Sequence, residues 1–443
     1  MTNVLVIGAG GRAHAIAAAL KRSGATIYAV MKHRNPGIAR LAEDVVIGNH
    51  DDPEFVADLK WVRDGIIDFA FISPEAPLIN GMVDALEAHG VPSVGPKKNA
   101  AIVEGSKEFT RELMHRHGIP GGVEYHTFTD PERLEEFLMD YDKQFVVKPI
   151  GVTGGKGVWV MGDHFSTKEE GIEYAKRVLE NRIGGEAKVL IEEKLVGEEF
   201  TLQVFTDGRE VRPMPLVQDF KRAYEGDKGP NTGGMGSYSA ADHLLPFVSE
   251  DERAEALDIL QKIIDALHSE GREYRGVLYG QFMLTPVGSK VVELNCRFGD
   301  PEAMNVLSIL DSNLVDVADG IINRELPEVR FKNLATVVKY VVPEGYGTAP
   351  VKNAEITVNE EAIRNEGALL YYASVNEENG KIYTTTSRSL AVVGLGARIE
   401  DAERIAERAL GHIQGRVFSR HDIAKREVIE EKVKRMKRLK TSP

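Results

Sequence analysis

The stretch VLVIGAGGRAHA, from Val4 to Ala15, decides how the chain begins to fold. Its apolar run has the length of a buried strand, the glycines that follow suit a tight turn, and the alanine-rich segment after them favours a helix. Strand and helix signals keep alternating over the first hundred residues, which is typical of a parallel sheet covered by helices. The pattern predicts an N-terminal Rossmann-like α/β unit.

The glycine turn matches the dinucleotide-binding pattern G-x-G-x-x-A, with Gly8 first and Ala13 last. That pattern also requires an acidic residue about 20 positions further on, which holds the ribose hydroxyls. The second strand ends instead in the basic run Lys32 to Arg34. Arg34 could serve the extra phosphate of NADP. The simpler interpretation is a helix N-terminus that receives a single phosphate or another anion, with Arg12 adding a positive charge.

The chain has 443 residues, about three times the roughly 150 residues that one domain usually takes. Hydrophobic residues make up 42% and charged residues 28%, which is the composition of a folded globular protein. A helix that begins near Ser106 and ends at Gly118, before Pro120, marks a domain boundary after the first hundred residues. A separate α+β unit follows from about residue 335, so we expect several domains.

Charge and cysteine content limit the class of protein. The one cysteine, Cys296, can form no internal disulfide and no cysteine-cluster metal site, which is typical of a reducing cytoplasm. We expect no signal peptide and no membrane span, because a basic leader and a run of about 18 apolar residues are both missing. The net charge of −13 disfavours binding to nucleic acid phosphates. We therefore expect a cytoplasmic protein, monomeric or weakly homodimeric, that acts on small molecules.

The C-terminal segment is the exception to this acidic balance. Residues 425–443 carry eight lysines and arginines against three glutamates. Such a charge run is typical of a solvated helix, and contact with RNA or with a protein partner is the alternative.

A second glycine motif lies between two β-rich runs, from Gly151 to Gly157. It predicts a strand-loop-strand flap whose backbone closes over phosphates, with Lys148 and Lys156 at its two ends. It is not a Walker A loop, because Lys156 is followed by glycine and a strand rather than by Ser or Thr and a helix.

The segment Val291 to Arg297 carries the clearest chemistry. Because side chains alternate along a strand, Glu293, Asn295 and Arg297 share one face. A carboxylate and a carboxamide offer oxygen ligands of the kind that hold Mg²⁺ beside nucleotide phosphates, and Arg297 can neutralise charge on a transferring phosphoryl group. A turn at Pro286 to Ser289 brings Gln281 of the preceding strand roughly opposite Glu293, as a third oxygen ligand.

Arg297 also has a purely structural interpretation. The strand face could be exposed, with Arg297 paired to Asp300 or Glu302. Cys296 points inward on either interpretation and is not a nucleophile.

A third glycine-rich segment runs from Gly229 to Gly236 and follows Asp219, Lys221 and Arg222. Backbone N–H groups and cations close together suit a phosphate and a carboxylate. We expect residues 210–240 to form a long polar loop, of a size that is usually functional or disordered.

Taken together, these motifs resemble the glycinamide ribonucleotide synthetase family of the ATP-grasp superfamily over nearly the whole chain. The chain departs from the family pattern at Ala13, Ser73 and Phe220, and Gln281 stands where many ATP-grasp relatives have a metal carboxylate. The matching segments are GGRAHA at 10–15, PEAPL at 74–78, GSK at 105–107, the flap at 151–157, QDFKR at 218–222, residues 229–236, and ELNCRFGDPE at 293–302.

The resemblance implies a fold, a reaction and cofactors. The fold is an N-terminal Rossmann-like domain over residues 1–104, a two-part ATP-grasp region over 105–330 with a flap subdomain at about 125–195, and a C-terminal α+β domain over 331–443 that ends in the basic tail. The reaction is the ligation of glycine to 5-phosphoribosylamine in purine biosynthesis, through glycyl phosphate, with ATP and Mg²⁺ or Mn²⁺. Another ATP-grasp carboxylate–amine ligase or carboxylase is one alternative, and a nucleotide-binding oxidoreductase is the other.

The resemblance also implies roles for individual residues. The catalytic residues are Arg297 and Lys148, and the metal ligands are Gln281, Glu293 and Asn295. The ATP-binding residues are Lys107, Lys148, Gly154, Gly155, Lys156, Glu192, Glu193, Leu195 and Glu199. The substrate-binding residues are Gly10, Gly11, Arg12, Glu75, Pro77, Asp219, Lys221, Asn231, Gly233, Gly234, Arg297 and Gly299.

Overall fold

A computed structural model describes residues 2–152 and 157–441 of the chain. The N-terminal unit is a five-stranded sheet in the order β3-β2-β1-β4-β5, with every pair parallel, as the opening stretch predicts. Its elements are β1 (Asn3–Ile7), α1 (Gly11–Arg22), β2 (Thr26–Met31), α2 (Pro36–Leu41), β3 (Ala42–Ile47), α3 (Pro53–Ala57), α4 (Lys60–Arg63), β4 (Phe69–Ile72), α5 (Glu75–Asn80), α6 (Met82–Ala88) and β5 (Ser93–Val94).

Two helices lead into a small antiparallel unit with its own core. The hydroxyl of Ser106 accepts a hydrogen bond from the backbone N–H of Phe109 at 3.2 Å and so caps the second helix. The sheet order is β6-β9-β7-β8, and Phe145 is among the residues buried between sheet and helices. The elements are α7 (Lys98–Gly105), α8 (Lys107–Arg116), β6 (Tyr125–Phe128), α9 (Pro131–Asp140), β7 (Phe145–Pro149), β8 (Trp159–Val160), α10 (Lys168–Glu180) and β9 (Val189–Glu193).

The central region contains a four-stranded antiparallel sheet in the order β11-β10-β16-β17. The expectation of a long irregular loop at residues 210–240 is wrong, because five short strands occupy that segment. The elements are β10 (Glu198–Thr206), β11 (Val211–Pro213), β12 (Gln218–Asp219), β13 (Arg222–Tyr224), β14 (Lys228–Asn231), β15 (Gly236–Ser239), α11 (Glu250–Ser269), β16 (Gly276–Thr285), β17 (Gly288–Asn295), α12 (Glu302–Ser308) and α13 (Leu314–Asn323).

The C-terminal region contributes two further sheets, in the orders β12-β15-β18-β23-β20 and β21-β22-β19-β24. Two strands that precede the predicted boundary at residue 330, β12 and β15, thus lie in a C-terminal sheet, so the segments on either side of them are tied to it. The elements are β18 (Ala335–Pro343), β19 (Glu355–Val358), α14 (Glu360–Asn365), β20 (Leu369–Tyr372), β21 (Val375–Glu378), β22 (Lys381–Thr384), β23 (Leu390–Gly396), α15 (Ile399–Leu410), β24 (Ile413–Gly415), β25 (Val417–Phe418) and α16 (Arg426–Thr441).

The basic tail is helical, as its composition predicts, but it is not solvated on all sides. Ile429 and Met436 of α16 are 8% and 2% exposed and belong to the main hydrophobic core. The predicted solvated helix is therefore present, with its outer face exposed and one face packed on the core.

The longest helix of the described residues is α11, with 20 residues. It begins with a capping box in which Ser249 and Glu252 bond each other's backbone N–H groups. Its buried side packs on the central sheet, and its outer side carries charges. Among residues 2–152 and 157–441, no helix combines the length and the apolar composition needed to cross a bilayer.

Candidate active site

Three antiparallel strands, β10, β16 and β17, form a floor of polar side chains, and we call the space on that side of the sheet the cleft. Gln281 of β16 lies opposite Glu293 of β17, because a register shift between Gln281 and Phe282 moves the pairing by one residue from the register that the turn sets. Gln281 Nε2 donates to the carboxylate of Glu199 on β10, whereas Gln281 Oε1 is buried and has no hydrogen-bond partner among the described residues. Asn295 Nδ2 lies 3.4 Å from Glu293 Oε1. Polar side chains of three strands therefore meet on this floor.

The charge of Glu293 is set by the lysines around it. Burial alone would raise the pKa of its carboxyl, but Lys221, Lys107 and Lys148 hold that pKa below its ordinary value. In the described ranges, no cluster of three or more His, Cys, Asp or Glu side chains is arranged to hold a metal ion. The predicted ligand set, with one carboxylate and two carboxamides, is not a cluster of that kind.

Two lysines reach the cleft from different elements. Lys107 is the first residue of α8, and its Nζ donates to the carbonyl of Gly151 at 2.7 Å. Lys148 is in β7 of the small sheet β6-β9-β7-β8, which we call the flap sheet. Its Nζ lies 3.5 Å from the carbonyl of Val292. Burial lowers the pKa of Lys107 to about 8. The flap residues Gly154, Gly155 and Lys156 lie outside the described residues.

The carboxylate of Glu192 is held between two cations. Arg111 Nε donates to its Oε1 at 2.6 Å, and Lys148 Nζ lies 2.5 Å from its Oε2. Burial alone would raise the pKa of Glu192, but Arg111 and Lys148 lower it to about 2. Contact of this side chain with adenine stays a prediction. Sequence reasoning missed Arg111, although its position four residues after Lys107 on one helix is a signal that could have found it.

The residues after Glu192 point in different directions. Glu193 Oε1 accepts a hydrogen bond from the backbone N–H of Glu124 at 3.1 Å, on the opposite face of β9 from Glu192. Leu195 is half-buried in the connection to β10, and Glu199 faces the cleft. Alternation along the strands thus brings Glu192 and Glu199 toward the cleft and turns Glu193 away from it.

Arg297 anchors a largely buried network of ion pairs. Its Nη2 lies 3.0 Å from Glu104 Oε1, and its Nε lies 3.4 Å from Glu75 Oε2. Arg12 Nη2 donates to the same oxygen of Glu75 at 3.3 Å, and Arg12 Nη1 donates to the carbonyl of Phe298 at 2.8 Å. Burial alone would raise the pKa of Glu75, but Arg297 and Arg12 lower it to about 2. The N-terminal unit is thereby joined to the segment after β17 that carries Arg297.

The purely structural pairing considered for Arg297 is wrong. The carboxylate of Asp300 lies 3.2 Å from Arg388 Nη2, and Glu302 Oε1 accepts from the hydroxyl of Tyr279 at 3.0 Å. Both carboxylates are therefore engaged by groups other than Arg297.

Arg388, in the connection between β22 and β23, holds the third glycine segment in place. Its Nη1 donates to the carbonyls of Gly233 at 2.5 Å, Gly234 at 3.2 Å and Asp300 at 2.8 Å. Gly234 has φ +110°, and a Cβ on it would lie 2.7 Å from Pro301 Cδ, so glycine is required there. Sequence reasoning missed Arg388 because no motif surrounds it.

The polar residues before this segment line the same cleft. Lys221 Nζ lies 3.1 Å from the Glu199 carboxylate. Burial raises the pKa of Asp219 to about 7, although Lys221 opposes that shift. Asn231 ends β14, where it pairs with Arg222 of β13. The hairpin that β13 and β14 form thus begins one residue after Lys221.

The first glycine motif opens helix α1. Gly10 is the residue before the helix, and no side chain caps the N–H groups of its first turn. A Cβ on Gly11 would lie 2.5 Å from the hydroxyl of Tyr340, so the turn and β18 approach each other closely. The remaining predicted substrate residues, Pro77 in α5 and Gly299 after β17, are buried.

The fold and this site define the class of protein. A flap sheet and an antiparallel floor sheet face a cleft that holds two lysines and an anionic glutamate, which is the arrangement of an ATP-grasp enzyme. The chain matches the family models of three domains of phosphoribosylglycinamide synthetase. These are the N domain over residues 2–104, the ATP-grasp (A) domain over 105–303 and the C domain over 336–426. The chain belongs to the phosphoribosylglycinamide synthetase family.

Similar proteins and structures agree with this assignment. The chain is 49% identical over 438 residues to a phosphoribosylamine–glycine ligase of Methanothermobacter thermautotrophicus, covering 99% of this chain and 100% of that protein. It is 50% identical to the Pyrococcus furiosus protein of the same name, covering 99% of this chain and 98% of that one. The crystal structure of phosphoribosylamine–glycine ligase from Thermotoga maritima superimposes with a TM-score of 0.81 at 28% identity, covering 95% of this chain and 100% of that one.

A more distant structure shows the fold alone. The biotin carboxylase domain of Hydrogenobacter thermophilus 2-oxoglutarate carboxylase, in complex with MgADP, ADP and bicarbonate, superimposes with a TM-score of 0.71 at 17% identity. It covers 98% of this chain, and this chain covers 94% of it.

Proposed function

We propose that this protein is a phosphoribosylamine–glycine ligase, which joins the carboxyl group of glycine to the amino group of 5-phosphoribosylamine at the expense of ATP. The observation that carries this proposal is the continuity of one site across the chain. The cleft floor at Glu293 is connected, through Arg297 and Glu75, to Arg12 at the start of helix α1. The proposed nucleotide site at Glu293 and the proposed anion site at Arg12 are therefore connected through ion pairs.

ATP binds between the flap and the floor in this proposal. The ammonium groups of Lys107 and Lys148 contact the phosphates, and Gly154, Gly155 and Lys156, which lie outside the described residues, stay predicted ATP-binding residues. Glu192 meets the adenine through its side chain, Glu193 and Leu195 meet it through their backbone, and Glu199 accepts hydrogen bonds from the ribose. Arg111 keeps Lys148 in position, because it shares the carboxylate of Glu192 with that lysine.

The residues present fit a divalent cation, either Mg²⁺ or Mn²⁺. Gln281 Oε1 is a buried acceptor without a partner among the described residues, and it lies on the strand opposite the anionic Glu293. Turning the Asn295 carboxamide would let its nitrogen donate to Glu104 at 3.0 Å and point its oxygen toward Glu293. Gln281, Glu293 and Asn295 would hold the cation, which supplies charge neutralisation at the nucleotide phosphates.

The reaction proceeds in two displacements. A carboxylate oxygen of glycine attacks the γ-phosphorus of ATP, the bond from that phosphorus to the bridging oxygen breaks, and ADP leaves with the electron pair. The amine of phosphoribosylamine then attacks the carbonyl carbon of glycyl phosphate, inorganic phosphate leaves, and the nitrogen gives up a proton. Arg297 and Lys148 stabilise the charge on the transferring phosphoryl group, since positioning and electrostatics carry most of such a transfer.

The substrates lie between the N-terminal unit and the glycine segment. The unsatisfied N–H groups of helix α1 suit the phosphate of phosphoribosylamine. Lys221 and the backbone of Gly233 and Gly234 suit a carboxylate. The full proposed substrate site comprises Gly10, Gly11, Arg12, Glu75, Pro77, Asp219, Lys221, Asn231, Gly233, Gly234, Arg297 and Gly299.

A two-substrate assay tests the proposed function. Release of ADP and phosphate from ATP is measured with glycine alone, with phosphoribosylamine alone and with both. We expect release only with both substrates. Release with bicarbonate and an aminoimidazole ribonucleotide instead would show an ATP-grasp carboxylase, and NADPH oxidation without ATP would show an oxidoreductase.

A further inference from the structure

The basic helix α16 contacts the residues that form the back of the cleft. Lys432 Nζ lies 3.4 Å and Arg435 Nη1 lies 3.0 Å from the two carboxylate oxygens of Glu198. The side chain of Glu198 is only 5% exposed. The match to the C domain ends at residue 426, where α16 begins. The positive charge of the tail is therefore used, in part, inside the molecule.

Glu198 lies next to a residue of the cleft. Because successive side chains of β10 point to opposite faces, Glu198 faces α16 while Glu199 faces Lys221 and Gln281. A buried carboxylate is costly unless it is paired, so the two cations of α16 hold Glu198 in place. Holding Glu198 also holds the start of β10, and with it Glu199.

The same helix contacts a second cleft segment through an aromatic ring. Phe220 lies between Asp219 and Lys221 in the chain and is 2% exposed. Lys432 Nζ lies 5.2 Å from the centre of its ring, and the guanidinium carbon of Arg420 also lies 5.2 Å from it. A cation near an aromatic ring is attracted to it. Lys432 and Arg420 thus restrain Phe220. Asp219 and Lys221 are its neighbours in the chain, so their positions are restrained with it.

We propose that α16 is a brace for the active site, and that Lys432 and Arg435 are positioning residues that act through Glu198 and Phe220. Removing their charges leaves Glu198 buried and unpaired, so the beginning of β10 shifts. Glu199 and its neighbour Lys221 then lose their alignment on the cleft side. The proposal rests on the proposed function for the identity of the ligands that this alignment serves.

The chain offers matched controls on the same helix. Lys440 also ties α16 to the body of the protein, through Glu252 of the capping box that begins α11. That anchor has the same chemistry but lies at a different element from the cleft floor. Lys434 and Lys437 are exposed, so changing them removes equal charge without removing an anchor.

The experiment compares K432M/R435M with K440M and with K434M/K437M in the full chain. Methionine keeps an apolar stem of similar length, so the packing of the helix is retained while the charge is lost. The measurements are KM for ATP, glycine and phosphoribosylamine, the melting temperature, and amide hydrogen exchange in β10 and residues 218–221. The conservative pair K432R/R435K serves as the rescue variant.

For K432M/R435M we expect KM for ATP to rise about five-fold or more, within the range of such couplings, with faster exchange in both segments. Wild-type values are expected for K434M/K437M, and KM within two-fold of wild type for the rescue pair. K440M is expected to lower the melting temperature without changing KM. An equal rise of KM in K440M, or unchanged KM and hydrogen exchange in K432M/R435M, would overturn the proposal that α16 is a brace.

Two outcomes separate this proposal from the proposed function. If wild-type protein releases no ADP with glycine and phosphoribosylamine, the proposed function fails, and hydrogen exchange still decides the brace. If K432M/R435M does not fold, the single variant E198Q replaces it, since it removes the ion pairs that tie β10 to α16 without leaving an unpaired buried carboxylate. It is expected to raise KM for ATP and speed exchange in β10, and wild-type behaviour in both measurements would overturn the brace.

Discussion

Arg297 Nε lies 3.4 Å from Glu75 Oε2, although the two residues belong to different units of the chain. Glu75 begins α5 in the N-terminal unit, and Arg297 follows β17 of the floor sheet. The same carboxylate oxygen accepts from Arg12 at 3.3 Å. This contact ties the N-terminal unit to the segment that follows the floor sheet, and it fixes the orientation of the Arg297 guanidinium.

Replacing Arg297 tests its role in phosphoryl transfer. We expect Arg297→Ala to leave the affinity for an ATP analogue largely intact and to lower kcat by about 10² or more, as for the loss of a positioned transition-state donor. Steady-state kinetics and calorimetric titration measure the two quantities. Arg275→Ala is the control, because Arg275 pairs with Glu87 at 2.7 Å and is not among the proposed site residues. A near-normal kcat in Arg297→Ala would assign the residue to domain joining alone.

The fate of oxygen atoms tests the acyl phosphate. Glycine labelled with oxygen-18 in its carboxyl group should transfer one labelled oxygen to each inorganic phosphate released, because the attacking carboxylate oxygen stays bonded to phosphorus. Mass spectrometry of the phosphate gives the answer. Labelled water with unlabelled glycine is the control and should leave the phosphate unlabelled. Unlabelled phosphate from labelled glycine would exclude glycyl phosphate.

Burial lowers the pKa of Lys107 to about 8, and this predicts a pH dependence of nucleotide binding. The ammonium is charged below that value and loses its proton above it. Bound phosphate favours the charged form, so binding of a non-hydrolysable ATP analogue should take up a proton between pH 8 and 9.5. The affinity for the analogue should fall as the pH rises above 8, toward a limit of about tenfold per pH unit.

Calorimetric titration in two buffers of different ionisation enthalpy measures the proton uptake. Lys107→Met should bind the analogue more weakly and without this uptake. Persistence of the same uptake in Lys107→Met would assign the proton to another group.

The close approach of the first glycine turn to β18 predicts a steric effect. A Cβ on Gly11 would lie 2.5 Å from the hydroxyl of Tyr340, so Gly11→Ala should lower the free energy of unfolding by about 1–3 kcal/mol, as overpacking does. Urea denaturation measures this. Gly122→Ala is the control, because no atom lies within 4 Å of its added Cβ. Removing the hydroxyl in Gly11→Ala/Tyr340→Phe should restore part of the loss, and no restoration would show that Tyr340 is not the obstacle.

The local parts of the site were predictable from the sequence. Alternation along β17 placed Glu293 and Asn295 together, and the turn before that strand brought Gln281 close to Glu293, although a register shift between Gln281 and Phe282 decides the pairing itself. Both inferences depend only on the two-residue period of a strand and on the length of a turn. The same reasoning failed over residues 210–240, because the pairing of β15 with β18 is decided by a partner about a hundred residues away.

Partners from remote elements were not predictable. Arg388 lies in a segment without a motif, yet it bonds the carbonyls of Gly233 and Gly234. Glu104 lies at the end of a helix, yet it is 3.0 Å from Arg297. No local pattern specifies such pairs, because a charged side chain can pair with many partners. Packing selects one partner by burying the two groups together, away from water.

The N-terminal parallel sheet, the polar face of β17, the glycine segments and the family follow from neighbouring residues, because strand period, turn chemistry and motif spacing are local properties. The position of Glu75 between Arg12 and Arg297, the contact of Arg111 with Glu192 and the packing of α16 behind Glu198 follow from the folded chain. These contacts are ion pairs between distant parts of the chain. They form where folding buries opposite charges together, since a buried charge must find a partner and an exposed one need not.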